Sequence, residues 1–251
     1  MIDRRGFLKI SLRNLTLGIS GLALGIPSCS IGSLCQGEID YEFREGDRGI
    51  PPVVFSNGFL WNYEQMRAYA DFFSGLGHST LLWNYPNGIL SVSQLSQGLE
   101  SIFLETGIES PILTGYSTGG MVSIDYALKH PDNYSGLILL SSAHRVLNQP
   151  DHNEDPGCAY GLPGVLLRLQ NVLNFNSNVT GIDKPSLVLC GDRDRFFSEE
   201  TIDELVSDLN KTPPGCRDLV LNGGDHLAFF LNFDRIREFI LENLDFLYGK
   251  G

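Results

Sequence analysis

Short apolar runs bounded by turn residues, alternating with longer stretches of helical period, constrain this chain more than any other feature. The runs fall at residues 53–55, 80–83, 112–114, 137–140, 187–190 and 219–221, and most are apolar on consecutive residues rather than on alternate ones. Strands covered on both faces read this way, because neither side of the pleat meets water. Between them the spacing predicts helices over 63–75, 93–106, 119–130, 198–209 and 227–247; in the third, Met121, Ile124 and Leu128 form a stripe able to pack on a sheet. The expected fold is therefore α/β, a mostly parallel central sheet flanked by helices, with an antiparallel edge near residues 39–43. The alternation breaks once, at an insertion over 145–185 that carries one predicted helix, 162–173.

A chain of 251 residues suits a single catalytic domain plus a leader, with domain bounds expected at 1–36 and 37–251. The formal charge is -12, although Arg4, Arg5, Lys9 and Arg13 against Asp3 make the first 36 residues +3, leaving -15 on the rest. So acidic a body repels phosphate backbones, which argues against a nucleic-acid partner. The cysteines are Cys29, Cys35, Cys158, Cys190 and Cys216, with no C-x-x-C, no H-E-x-x-H and no clustered His/Cys set. Neither a metal site nor a cofactor is expected, and at most one disulfide can form in the body.

The start reads as an export signal: basic residues, an apolar stretch over 15–26, then a break at Pro27. Gly18, Gly21 and Gly25 weaken that stretch as a membrane span. Asp3-Arg4-Arg5-Gly6-Phe7-Leu8-Lys9 resembles the twin-arginine export motif, which implies passage through a bacterial-type translocase in the folded state. The expected location is periplasmic or on the outer side of a membrane. Ile26-Pro27-Ser28-Cys29 resembles a lipoprotein box, and so marks Cys29 as a candidate lipid anchor.

The strongest local motif is Gly115-Tyr116-Ser117-Thr118-Gly119, which follows the apolar run before it and opens a helical stretch. A sharp strand-to-helix turn would lift the Ser117 hydroxyl above the sheet, at the positive end of a helix, with small neighbours where a Cβ would collide. A serine hydroxyl attacks a carbonyl only if a base takes its proton. His226 follows the run 219–221 through Asn222-Gly223-Gly224-Asp225 and so ends on the same sheet edge; His144, after 137–140, is the rival. The chain order serine, acid, histidine favours His226. The carboxylate that orients the imidazole should come from Cys190-Gly191-Asp192-Arg193-Asp194-Arg195, where Asp192 and Asp194 are both candidates. Oxyanion donors are expected from the backbone N–H of Thr118 and of Phe59, the latter in Ser56-Asn57-Gly58-Phe59.

These motifs and their order, from about residue 39 to 247, resemble the α/β-hydrolase superfamily. The resemblance implies Ser117 as nucleophile, His226 as base and Asp194, rather than Asp192, as the acid. It also places a short cap at 145–185, suited to small or medium acyl substrates. Two departures stand out: the first loop reads Asn57-Gly58 where such enzymes usually have His-Gly, and Asn84-Tyr85-Pro86-Asn87-Gly88 replaces a common Asp-x-x-Gly-x-Gly-x-Ser turn. Trp61, Tyr116 and Phe196 are the expected substrate-pocket residues, whereas Phe229 and Phe230 read as core. The function so implied is a serine hydrolase, a carboxylesterase acting on an apolar ester. Acyl transfer, thioester or C–C hydrolysis and cofactor-free peroxidase chemistry use the same three residues, and a non-catalytic binding protein of this fold is the alternative from another class.

Overall fold

The structure, a computed structural model, describes residues 8–11, 39–59, 62–86, 91–145 and 174–250. Its centre is one sheet. In chain order the strands are β1 (Leu8–Ser11), β2 (Asp40–Arg44), β3 (Val53–Ser56), β4 (Thr80–Trp83), β5 (Ile112–Tyr116), β6 (Gly136–Leu140), β7 (Ser186–Gly191) and β8 (Cys216–Leu221). They lie side by side as β1-β2-β4-β3-β5-β6-β7-β8, eight strands in all. From β4 to β8 every pairing is parallel, and only the β1–β2 and β2–β4 pairings, at one edge, are antiparallel. Strand β1 falls within the expected leader, and without it seven strands remain. The consecutive apolar runs have their predicted cause: β3, β4, β5, β6 and β7 are buried at every residue. Strand β8, at the other edge, is largely exposed.

Helices cover both faces. On one lie α2 (Val92–Thr106), α3 (Thr118–Lys129) and α4 (Glu199–Leu209), whose Leu99, Ile124 and Leu205 share a core with Val54, Leu113 and Val188. On the other lie α1 (Arg67–Gly75) and three short C-terminal helices, α5 (Ala228–Leu231), α6 (Phe233–Glu242) and α7 (Leu244–Leu247). There Phe73, Phe229, Ile236 and Ile240 pack with Phe55, Ile138 and Leu187. Alternate strand residues serve opposite cores, as the pleat requires.

Two expectations about helices need correction. The helix expected over 227–247 is broken twice, at Asn232 and Asn243, whose backbones leave helical geometry. Each asparagine turns its side-chain amide back onto a carbonyl of the preceding turn, Asn232 Nδ2 to Ala228 O at 2.7 Å and Asn243 Nδ2 to Phe239 O at 2.7 Å. Short polar side chains compete in this way with the helical ladder. The helix expected over 63–75 begins as a 3₁₀ turn, Tyr63–Met66, capped by Asn62 through its Oδ1, which accepts from the Glu64 N–H at 3.1 Å. The predicted helix 162–173 lies outside the described residues, as do most of the insertion, Trp61 and Cys29.

Candidate active site

The loops after β3, β5, β7 and β8 leave the sheet on one edge, the carboxyl ends of the parallel strands, where α/β proteins place their ligands. Ser117 stands between β5 and α3 at φ 52°, ψ -120°, a conformation that a residue with a Cβ adopts only when its surroundings impose it. The surroundings do so at both ends of the residue. Its N–H donates to Leu140 O at 2.9 Å, and its C=O accepts from Ser142 Oγ at 2.7 Å as well as from the Gly120 N–H at 3.0 Å.

The glycines of the motif serve close approach rather than conformation. A Cβ on Gly115 would stand 2.3 Å from the Gly119 carbonyl carbon, and one on Gly119 would stand 2.0 Å from Ser56 O. The first turn of α3 therefore rests directly on the backbone of the Ser56-Asn57 loop. That loop is also held from β4: Trp83 Nε1 donates to Ser56 Oγ at 3.0 Å, and Tyr85 Oη donates to Asn57 O at 2.5 Å.

Glycines likewise bring the loops after β7 and β8 together. A Cβ on Gly191 would lie 2.2 Å from Gly224 O, and Arg193 N donates to that same oxygen at 2.8 Å. Gly223, at φ 74°, turns the chain toward His226.

Three side chains then line up in series. Ser117 Oγ lies 3.0 Å from His226 Nε2, and His226 Nδ1 lies 2.8 Å from Asp194 Oδ2. The second Asp194 oxygen accepts from the amides of Phe196 (2.8 Å) and Phe197 (3.2 Å), which fixes the carboxylate plane. The Asp194 side chain is fully enclosed while the His226 ring is 15% exposed, so the series runs from a buried charge to the surface. An imidazole that donates from Nδ1 to a buried carboxylate keeps Nε2 free to accept a hydroxyl proton, and can hold it as an imidazolium.

The competing candidates sit elsewhere. Asp192 Oδ1 accepts from the Gly223 N–H at 2.7 Å, a loop carboxylate satisfied by backbone. His144 is buried with Nε2 3.4 Å from Asp208 of α4, and burial, offset in part by that carboxylate, holds its pKa below the usual value. Asp225 accepts from the Leu227 N–H at 2.9 Å.

Of the expected oxyanion donors, Thr118 opens α3, where first-turn amides have no partner within the helix. Phe59 lies at the loop that α3 abuts and packs against the core. Of the expected pocket residues, Phe196 is 56% exposed with its ring 4.6 Å from the His226 ring, at the rim. Trp61 lies outside the described residues. Tyr116 requires correction: it is 1% exposed, and its ring packs under His226 against Phe229 and Phe230 instead of lining an open pocket. The cause is strand alternation, which sends residue 116 into the sheet face that Ile112 also serves.

Sequence reasoning missed the supporting residues Ser142, Trp83 and Tyr85. They meet the site only through space, so no local motif marks them. A cavity of about 540 Å³ opens by Pro51, Ser135 and Pro185, at the starts of β3, β6 and β7 and thus on the opposite edge from Ser117. Among the described residues no group of three or more His, Cys, Asp or Glu is placed to hold a metal ion.

Comparison with known proteins rests on structure. No family model matches the chain, and no curated protein matches its sequence. Solved structures do match it. A thermophilic esterase from Thermogutta terrifontis superposes with a TM-score of 0.68 at 16% identity, over 96% of this chain and 99% of that one. A hydrolase from Pseudomonas aeruginosa gives 0.68 at 15% identity over 83% and 95%. An enol-lactonase from Burkholderia xenovorans gives 0.65 at 17% over 83% and 96%. The chain has the α/β-hydrolase fold.

Proposed function

We propose that the protein is a serine hydrolase that cleaves carboxylic esters of small or medium apolar acids through an acyl-serine intermediate. The observation that carries this reading is the unbroken hydrogen-bonded series from Ser117 Oγ through His226 to Asp194. The esterase and the enol-lactonase among the structural neighbours agree with it. As Ser117 Oγ adds to the ester carbonyl, His226 Nε2 takes its proton and Asp194 stabilises the imidazolium. The N–H groups of Thr118 and Phe59 would meet the oxygen on which negative charge develops. His226 then passes the proton to the departing alkoxide, which leaves as the alcohol. In the second half, water gives its proton to His226 and its oxygen to the acyl carbon, and the acid is released as Ser117 regains its proton. Phe196 would contact the apolar part of the substrate, and we propose Trp61 and the insertion 145–185 as further determinants of which substrates are accepted.

The test is turnover of p-nitrophenyl acetate, butyrate and octanoate. Ser117→Ala and His226→Ala should each abolish it. Retention of near-full activity by both variants would overturn the reading. For location, we propose export in the folded state through the leader, with Cys29 as a lipid anchor. Replacing Arg4 and Arg5 by Lys should then hold the protein in the cytoplasm, and Cys29→Ser should release it from the membrane fraction. Unchanged fractionation would remove either point.

A further inference from the structure

Tyr116 is peptide-bonded to Ser117, yet its side chain reaches the partner of Ser117 by the other route. The phenol Oη donates to the backbone carbonyl of His226 at 3.3 Å, across 110 residues of chain. Its ring lies 5.2 Å from the imidazole of the same residue and 4.3 Å from the ring of Phe229, in the helix that follows. A small closed circuit results. Residue 116 is bonded to 117, the Ser117 hydroxyl meets the imidazole of 226 at 3.0 Å, and the carbonyl of 226 returns to 116.

The loop that carries His226 needs such a tether. It contains two consecutive glycines, Gly223 at φ 74°, and exposed residues on either side of the histidine. Its other backbone anchors bind neighbouring residues: Arg193 N holds Gly224 O, and the Ala228 N–H holds Asp225 O at 3.0 Å. The phenol holds the backbone of residue 226 itself, where Asp194 holds its ring, and does so from the strand that presents Ser117.

We infer that Tyr116 is a positioning residue for the hydrolysis proposed above, its phenol fixing the backbone of residue 226 and so the reach from imidazole Nε2 to the Ser117 hydroxyl. The inference rests on that functional reading. Burial, together with the charges of Asp194 and Asp225, pushes the Tyr116 pKa well above its usual value, so the phenol keeps the proton it donates.

Tyr116→Phe keeps the ring and its packing and removes only the donor. In the full chain, with active sites titrated by a fluorophosphonate, kcat per active site for p-nitrophenyl butyrate should fall about 3- to 10-fold, as loss of one hydrogen bond allows, with KM within about twofold. The rate of fluorophosphonate inactivation should fall by the same factor, since that reaction uses the same hydroxyl and imidazole. A purely structural role would lower the melting temperature or the titrated fraction and leave both per-site rates at the wild-type value; that result overturns the inference. A wild-type protein that the fluorophosphonate does not modify refutes the hydrolase reading instead, so the two failures are distinguishable.

Discussion

The contact between Gly119 and the loop after β3 makes Gly119→Ala the most informative single substitution outside the reacting side chains. A Cβ there would lie 2.0 Å from Ser56 O, 2.4 Å from Ser56 C and 2.7 Å from Asn57 O, all of them backbone atoms. Real Cβ atoms essentially never come within 3.0 Å of such neighbours, so the start of α3 and the loop must part by about 1 Å. Neither side yields readily. The loop is bonded to Trp83 and Tyr85, and α3 follows the doubly held Ser117. Forced overpacking of this kind costs about 1–3 kcal/mol, and in a chain of this size each kcal/mol lowers the melting temperature by roughly 2–4 °C. Function should suffer more than stability, because a displacement of about 1 Å between Ser117 and the proposed Phe59 and Thr118 donors can cost on the order of 10²-fold in rate. The assay is thermal unfolding beside kcat for p-nitrophenyl butyrate. Gly75→Ala serves as the control, since nothing lies within 4 Å of its Cβ and its backbone is helical. The control should keep wild-type kcat and gain up to about 1 kcal/mol. A Gly119→Ala protein with wild-type kcat and melting temperature would refute the packing argument.

Other outcomes follow from the same geometry. Asp194→Asn should lower kcat by about 10³- to 10⁴-fold, because an amide cannot hold the imidazole in the working tautomer, whereas Asp192→Asn, which alters only a bond to the Gly223 amide, should stay within about threefold of wild type; equal losses would reverse the assignment. Phe196→Ala should raise KM for p-nitrophenyl octanoate about 5-fold, the worth of about 1 kcal/mol of apolar contact, and leave the acetate unchanged; equal effects on both esters would remove Phe196 from the pocket. Stability should fall on acidification. His78 lies against Pro51 O (2.6 Å) and Tyr248 Oη (2.8 Å), and burial, offset in part by the Pro51 bond, lowers its pKa below 6.5. The unfolded chain therefore takes the proton first, and stability present above about pH 6.5 is lost as pH falls below it. Melting temperature should drop from pH 8 to pH 5, with a shallower slope in His78→Gln; an unchanged slope would show that this ring does not contribute.

The fold was readable where burial dictates composition. Strands β3 to β7 are buried at every residue and mostly apolar because helices cover both their faces, and that burial left consecutive apolar runs in the sequence. The break of the C-terminal helix was not readable, because Phe229, Ile236, Ile240 and Leu247 continue a helical stripe straight through Asn232 and Asn243. The positions of Ser117 and His226 were readable from one motif and the order of loops, since a parallel sheet sends all those loops to one edge; the same order left Asp192 and Asp194 both open as the acid, and only the family resemblance favoured Asp194. Their supports were not. Tyr85 reaches Asn57 across 28 residues, Ser142 reaches Ser117 across 25, and neither pairing leaves a periodic trace. Tyr116 was misread as a pocket residue because proximity in sequence to Ser117 says nothing about which sheet face its side chain enters.

We propose that His226, oriented by Asp194, makes the Ser117 hydroxyl nucleophilic. Intact-mass and peptide-level mass spectrometry after exposure of the folded protein to a fluorophosphonate tests it most directly. One adduct should form, on the peptide containing Ser117, and it should vanish in Ser117→Ala, in His226→Ala and after denaturation. A folded wild-type protein that stays unmodified, or an adduct that survives loss of His226 at an undiminished rate, would contradict the claim.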